Sequence, residues 1–194
     1  MTDWGRVIRC AAVGVGAAAL LAGCNNGGDG TSSASSSAPF ATSTITPSAP
    51  TSFNGCQLPQ SVISAEQFDP DPTNADAAAN GGIKFKGCVW STHEGDGYNV
   101  NVWSTNMTVQ MVDKMSDYKV ADHPTIGGRQ AVTFHTSDET DLRASCMINV
   151  EIKGGGLDLL VDNPASHKAT GTLDSCEIAK KLATELVATL PASA

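Results

Sequence analysis

Basic charge, catalytic signatures and long apolar runs are all scarce in this sequence. Among 194 residues, 12 Lys and Arg stand against 20 Asp and Glu, a formal net charge of −8. An acidic chain repels phosphate backbones and anionic head groups, which excludes nucleic acid as a partner and adhesion to a membrane through surface charge. The run Ala11 to Ala22 falls short of the roughly 20 apolar residues that cross a hydrocarbon core, so it is no membrane span. There is no Gly-x-Ser-x-Gly elbow, no phosphate loop and no dinucleotide fingerprint. His93-Glu94-Gly95-Asp96 begins like a zinc-protease helix, but Gly97 stands where the second histidine belongs. No two cysteines have the close spacing of zinc clusters. Neither an enzyme, nor a metal site, nor a cofactor is therefore expected, and no catalytic residue is assigned.

What is present begins with location. Arg6 and Arg9 precede the apolar run, which closes on Leu20-Leu21-Ala22-Gly23-Cys24, the pattern of bacterial lipoprotein signals. Residues 1–23 are expected to be removed and Cys24 to be acylated as the first residue of the mature chain. Each buried methylene contributes roughly 0.8 kcal/mol, so two or three acyl chains hold where one is marginal. The expected location is the cell membrane, on its extracytoplasmic side. Residues 24–54 are rich in Ser, Thr, Gly, Ala and Pro and read as a disordered stalk. Residues 55–194 have the size of one domain.

Within that domain apolar residues alternate: Ile83, Phe85 and Val89; Tyr98, Val100 and Val102; Val132 and Phe134; Cys146, Ile148, Val150 and Ile152; Leu157, Leu159 and Val161. Period-two alternation predicts strands with one buried face. Glycine turns at 94–97 and 154–156 predict two antiparallel hairpins. Met107, Met111, Met115 and Tyr118 recur at helical spacing, and Cys176, Ala179, Ala183, Leu186, Val187 and Leu190 form a second stripe before Pro191. A short helix is expected through Val62 and Ile63. The expected fold is α+β: an antiparallel sheet of about five strands with helices packed on one face, a two-layer sandwich.

Cys56, Cys88, Cys146 and Cys176 lie in the domain, and an even number in an exported domain reads as disulfides, with three connectivities open. Cys146 shares its strand face with Ile148, and Cys176 lies on the last helical stripe, so both point between sheet and helix. The preferred pairs are therefore Cys146 with Cys176 and Cys56 with Cys88. Each bridge would contribute roughly 3–4 kcal/mol through chain entropy.

The stretches GCQLP at 55–59, GCVW at 87–90, GGRQAV at 127–132, CMINVEIKGGGLDLLV at 146–161 and DSCEIAKKLATELVATLP at 174–191 together resemble the actinobacterial lipoproteins built on domain of unknown function 3558. The resemblance implies an exported, membrane-attached envelope protein. It carries over no catalytic residues.

Two features point to binding. The polar sheet face is expected to gather Lys84, Lys86 and Trp90 with Asn101, Trp103, His135 and Glu151. Of these Trp103, Asn101, His135 and Glu151 are the candidate contacts for an envelope protein or a glycan, since indole supplies area and a donor. The simpler reading packs Trp90 under the chain near Cys56. The methionine stripe, flexible and polarisable, would suit a carrier cleft for a lipid or other amphiphile, with helix packing as the simpler account. The expected function is a lipid-anchored, non-catalytic binding module, with the amphiphile carrier as its alternative.

Overall fold

A computed structural model of the protein describes residues 49–192 and 194; the signal segment, Cys24 and the stalk as far as residue 48 lie outside the described residues. The element order is α1 (Gln60–Glu66), β1 (Thr73–Asn74), β2 (Ala77–Ala79), β3 (Ile83–Ser91), β4 (Asn99–Thr105), α2 (Val109–Val112), β5 (Tyr118–Asp122), β6 (Thr125–Ile126), β7 (Arg129–Thr136), β8 (Ser145–Ile152), β9 (Gly155–Asp162) and α3 (Ser175–Thr189). No helix among the described residues is long and apolar enough to cross a membrane.

All pairings in the sheet are antiparallel, and its order is β1-β3-β4-β9-β8-β7-β5, with β2 on β3 and β6 on β7. The expectation of about five strands is corrected to nine. The additional four, β1, β2, β5 and β6, are two to five residues long and mostly exposed. Alternating apolar residues mark only strands that have a face to bury, so such edge pieces leave no period-two signal. Both expected hairpins form: β3 runs back along β4 from Ser91 opposite Asn99, and β8 meets β9 at Ile152 opposite Gly155. In the second turn Gly154 takes a φ of 90°, a left-handed conformation that a side chain resists.

The helices begin where polar caps allow. At α3 the Asp174 carboxylate accepts from the N–H groups of Cys176 and Glu177 at 2.9 and 3.2 Å, as an N-cap should. The methionine helix is much shorter than its spacing suggests. After the Thr108 cap only Val109–Val112 are α-helical, then Lys114 and Met115 close tighter three-residue turns, and Tyr118 already starts β5.

Two apolar clusters fill the domain. The first joins Leu58 and Val62 to Trp90, Val100, Val102, Ile148, Val150, Leu157, Leu159 and the α3 residues Ile178, Ala179, Leu182, Ala183 and Leu186. The second joins Ile83, Val132, Phe134 and Met147 to Met107, Val109 and Val112, with Met111 and Met115 against them. Neighbouring residues of one strand point to opposite faces. Met147 and Ile148 therefore place the two clusters on opposite sides of the sheet.

Both disulfides take the preferred pairing. Cys56–Cys88 ties the segment before α1 to β3 with Cα atoms 4.9 Å apart, and Cys146–Cys176 ties β8 to the first turn of α3 at 5.1 Å. Trp90 lies beneath the chain at Cys56, its indole N–H donating to the Gly55 carbonyl at 2.7 Å. Phe53, assigned to the stalk by composition, packs half-buried against the first cluster.

Candidate binding site

Strand register decides which candidate residues share a face. One row across the sheet reads Gly87, Trp103, Asp158, Asn149 and Val132, and the next reads Val89, Asn101, Leu160, Met147 and Phe134. Trp103 and Asn101 therefore stand on the face of the second cluster, and Glu151, two residues beyond Asn149, stands at its far end. His135 follows Phe134 and points the other way, among α3 and Cys146. The expectation that His135 joins Trp103 is corrected: the imidazole is 7 % exposed on the opposite face. The alternation of Val132 and Phe134 predicts one buried face, yet that strand is buried on both sides from Ala131 to His135 and its alternation carries no sign.

Trp103 is half-buried and already engaged. Its ring lies 5.1 Å from that of Phe85. Its indole N–H donates to the Ala75 carbonyl at 2.8 Å. Glu151 instead lines a separate cavity of ≈ 530 Å³ with Arg129, Gln130 and Lys153. The four candidate contacts do not converge.

Behind Ala75 lies a more concave place. A cavity of ≈ 640 Å³ is lined on one side by Ala49, Pro50, Thr51, Phe53 and Asn54 of the lead-in segment, and on the other by Asn74, Asp76, Lys84, Lys86 and Ser104. Lys84 and Lys86 share a strand face with Cys88 and Trp90, but lie at the end of β3 where the apolar cover stops. Asp76 holds this wall together. Its carboxylate accepts from Lys86 Nζ at 2.6 Å and from the Gly87 N–H at 3.0 Å. Those two donors hold its pKa below the usual carboxylate range. Lys84 has no ion pair among the described residues. An apolar concavity with a few polar groups is the general form of a small-ligand site. Lys84 and Lys86 were legible as part of a polar face. Asp76 was not, because it sits in a Pro- and Asp-containing run that reads as turns.

On the other face a carboxyl is enclosed. Asp158 is wholly buried, and burial pushes its pKa up to about 7 although the Asn149 amide N–H, 3.1 Å away, pulls the other way. The same amide group also donates to the Met107 carbonyl at 3.4 Å, while Asn149 Oδ1 is buried with no hydrogen-bond partner among the described residues. A neutral acid has the O–H that such an acceptor lacks. The Asn106 side chain is likewise enclosed, accepting from the Lys84 N–H and donating to the Gly82 carbonyl.

A family model described as a protein of unknown function (DUF3558) matches residues 19–189. The chain belongs to that family. The match starts inside the apolar run before Cys24, so the DUF3558 family extends over the stalk as well as the disulfide-bonded domain. No curated protein and no solved structure matches the chain.

Proposed function

We propose that this DUF3558 protein is an actinobacterial lipoprotein, held on the extracytoplasmic side of the cell membrane by acyl chains on Cys24. Its domain acts there as a non-catalytic binding module for a component of the envelope. Three features support the placement: the run closing on Cys24, the family match that includes it, and four domain cysteines all joined in bridges, as suits an oxidising compartment. Architecturally the domain reads as an α+β sandwich, with α1 and α3 layered on one face of the sheet and α2 a smaller patch on the other.

The observation that carries the binding reading is the ≈ 640 Å³ cavity beside Lys84 and Lys86. The carrier alternative moves to the same place. Met107 is fully buried in the second cluster, so the methionines fill a core, whereas Pro50 and Phe53 give the cavity an apolar wall beside an ammonium group. A lipid or glycolipid with an acidic head would fit both.

A photoreactive amino acid at Lys84, introduced in cells, tests this reading, with the same group at exposed Leu142 as the control. A discrete protein or lipid adduct at Lys84 alone is the expected result. Equal labelling from both positions, or none from either, overturns it.

A further inference from the structure

The bridge between β8 and α3 has a neighbour that the bridge at Cys56 lacks. His135 places Nδ1 2.7 Å from the Ser145 carbonyl oxygen and Nε2 3.7 Å from Cys176 Sγ. A carbonyl can only accept, so Nδ1 carries the hydrogen and Nε2 is the ring atom turned toward the sulfur. Fixing a ring by an Nδ1–H to carbonyl bond is the outer-shell arrangement that orients metal-binding histidines. His135 Nε2, Cys146 Sγ and Cys176 Sγ lie within 4.8 Å of one another, and no other such group of three exists among the described residues.

We propose that Cys146, Cys176 and His135 form a reduction-gated site for a divalent, thiophilic cation such as Zn²⁺. Tetrahedral zinc with bonds of about 2.3 Å to sulfur and 2.0–2.1 Å to nitrogen sets N···S near ~3.6 Å and S···S near ~3.8 Å. The His135 to Cys176 separation of 3.7 Å is close to that value, so loading requires the two sulfurs to part and Cys146 Sγ, within 4.8 Å of Nε2, to settle at its own N···S distance. A dithiol supplies the opening. Its two sulfurs join, giving two electrons and two protons, and Cys146 and Cys176 become thiols. On binding the cation each thiol releases a proton to solvent, the thiolates and Nε2 take three positions, and water takes the fourth. Cys146 is fully enclosed, but Cys176 is half-exposed at the start of α3, which gives reductant and cation an approach. Sequence spacing concealed the site, because the three ligands come from β7, β8 and α3 and are joined only by the fold.

The test uses the full chain, reduced anaerobically with a water-soluble phosphine and titrated with Co²⁺. The expected result is saturation at one equivalent, with a sulfur-to-cobalt charge-transfer band and the strong visible absorption of a tetrahedral site. Alkylation followed by peptide mass spectrometry should then show Cys146 and Cys176 protected by the metal and Cys56 and Cys88 labelled. His135→Ala should weaken Co²⁺ binding at least about tenfold. Absence of the band overturns the proposal, as does equal labelling of all four cysteines, the signature of an unfolded reduced chain. Unchanged affinity in H135A overturns it too.

Discussion

The phenol of Tyr98 donates to Glu66 Oε2 at 2.6 Å across 32 residues of sequence, under the first cluster. Lys181 Nζ on α3 meets the other oxygen of the same carboxylate at 2.6 Å. Burial alone would raise the Glu66 pKa; the hydrogen bonds from Lys181 and Tyr98 bring it below the ordinary value instead. Burial, then the charge of Glu66, pushes neighbouring Glu185 up. One carboxylate thus joins α1, the start of β4 and α3.

Tyr98→Phe removes one donor from a nearly enclosed carboxylate and should cost about 1–3 kcal/mol, read as a lower urea midpoint. Lys181 is mostly exposed, so solvent screens its charge, and Lys181→Met should cost less than a fully buried ion pair would. A Tyr98→Phe midpoint within error of the parent would show that water replaces the hydroxyl.

Asp158 predicts a pH dependence. Its pKa is raised in the folded protein, so the stability it contributes is complete below the ordinary value of 3.8 and is lost as pH rises toward about 7, then stays level. The shift is roughly three units at about 1.4 kcal/mol each, an upper limit near ~4 kcal/mol. Asp158→Asn keeps the shape, removes the charge and offers a donor toward Asn149 Oδ1. Denaturant titrations should find it more stable than the parent at pH 8 and its slope between pH 4 and 7 reduced. Parallel pH profiles for the two proteins would refute this origin.

Gly87 tests the close approach of β3 and β4 beside the cavity. A Cβ there would collide with the Val102 carbonyl oxygen, and one on Gly55 would strike the same atom. Backbone cannot move aside as a flexible side chain can, so Gly87→Ala should lower the thermal midpoint by several degrees, the equivalent of about 1–3 kcal/mol. An unchanged midpoint would mean that the strand spacing is looser than described.

Trp103 separates a wall-holding role from a contact role. Trp103→Phe keeps the packing on Phe85 and loses the bond to Ala75, at a cost of about 1 kcal/mol. Hydrogen exchange at residues 74–76 should speed up selectively. Equal acceleration throughout the sheet would indicate global destabilisation instead.

How much of this was legible depended on whether a strand buries one face or two. Ile148 and Val150 are separated by Asn149, and Leu157 and Leu159 by Asp158, so their hairpin, its glycine turn and the α3 stripe follow from the residues. The Cys146 to Cys176 pair was legible for the same reason. From Ala131 to His135 every residue is buried, so parity could not say which way His135 points. In β3 the parity misleads differently: Ile83 and Phe85 serve the second cluster, while Trp90 serves the first. The strand leaves one core and joins another midway. That switch placed Lys84 and Lys86 beside the cavity.

The Cys56–Cys88 bond also sets how the domain answers mechanical load. Any pull on the chain ahead of residue 49 reaches Cys56 and passes through sulfur into β3, the strand between β4 and the short edge strands β1 and β2. Helix α1 and the short strands after it lie within the 32-residue loop that this bond closes and are spared the tension. A domain held by the proposed lipid anchor would then resist being drawn out from that end as one covalently clamped block, until the clamp itself is reduced.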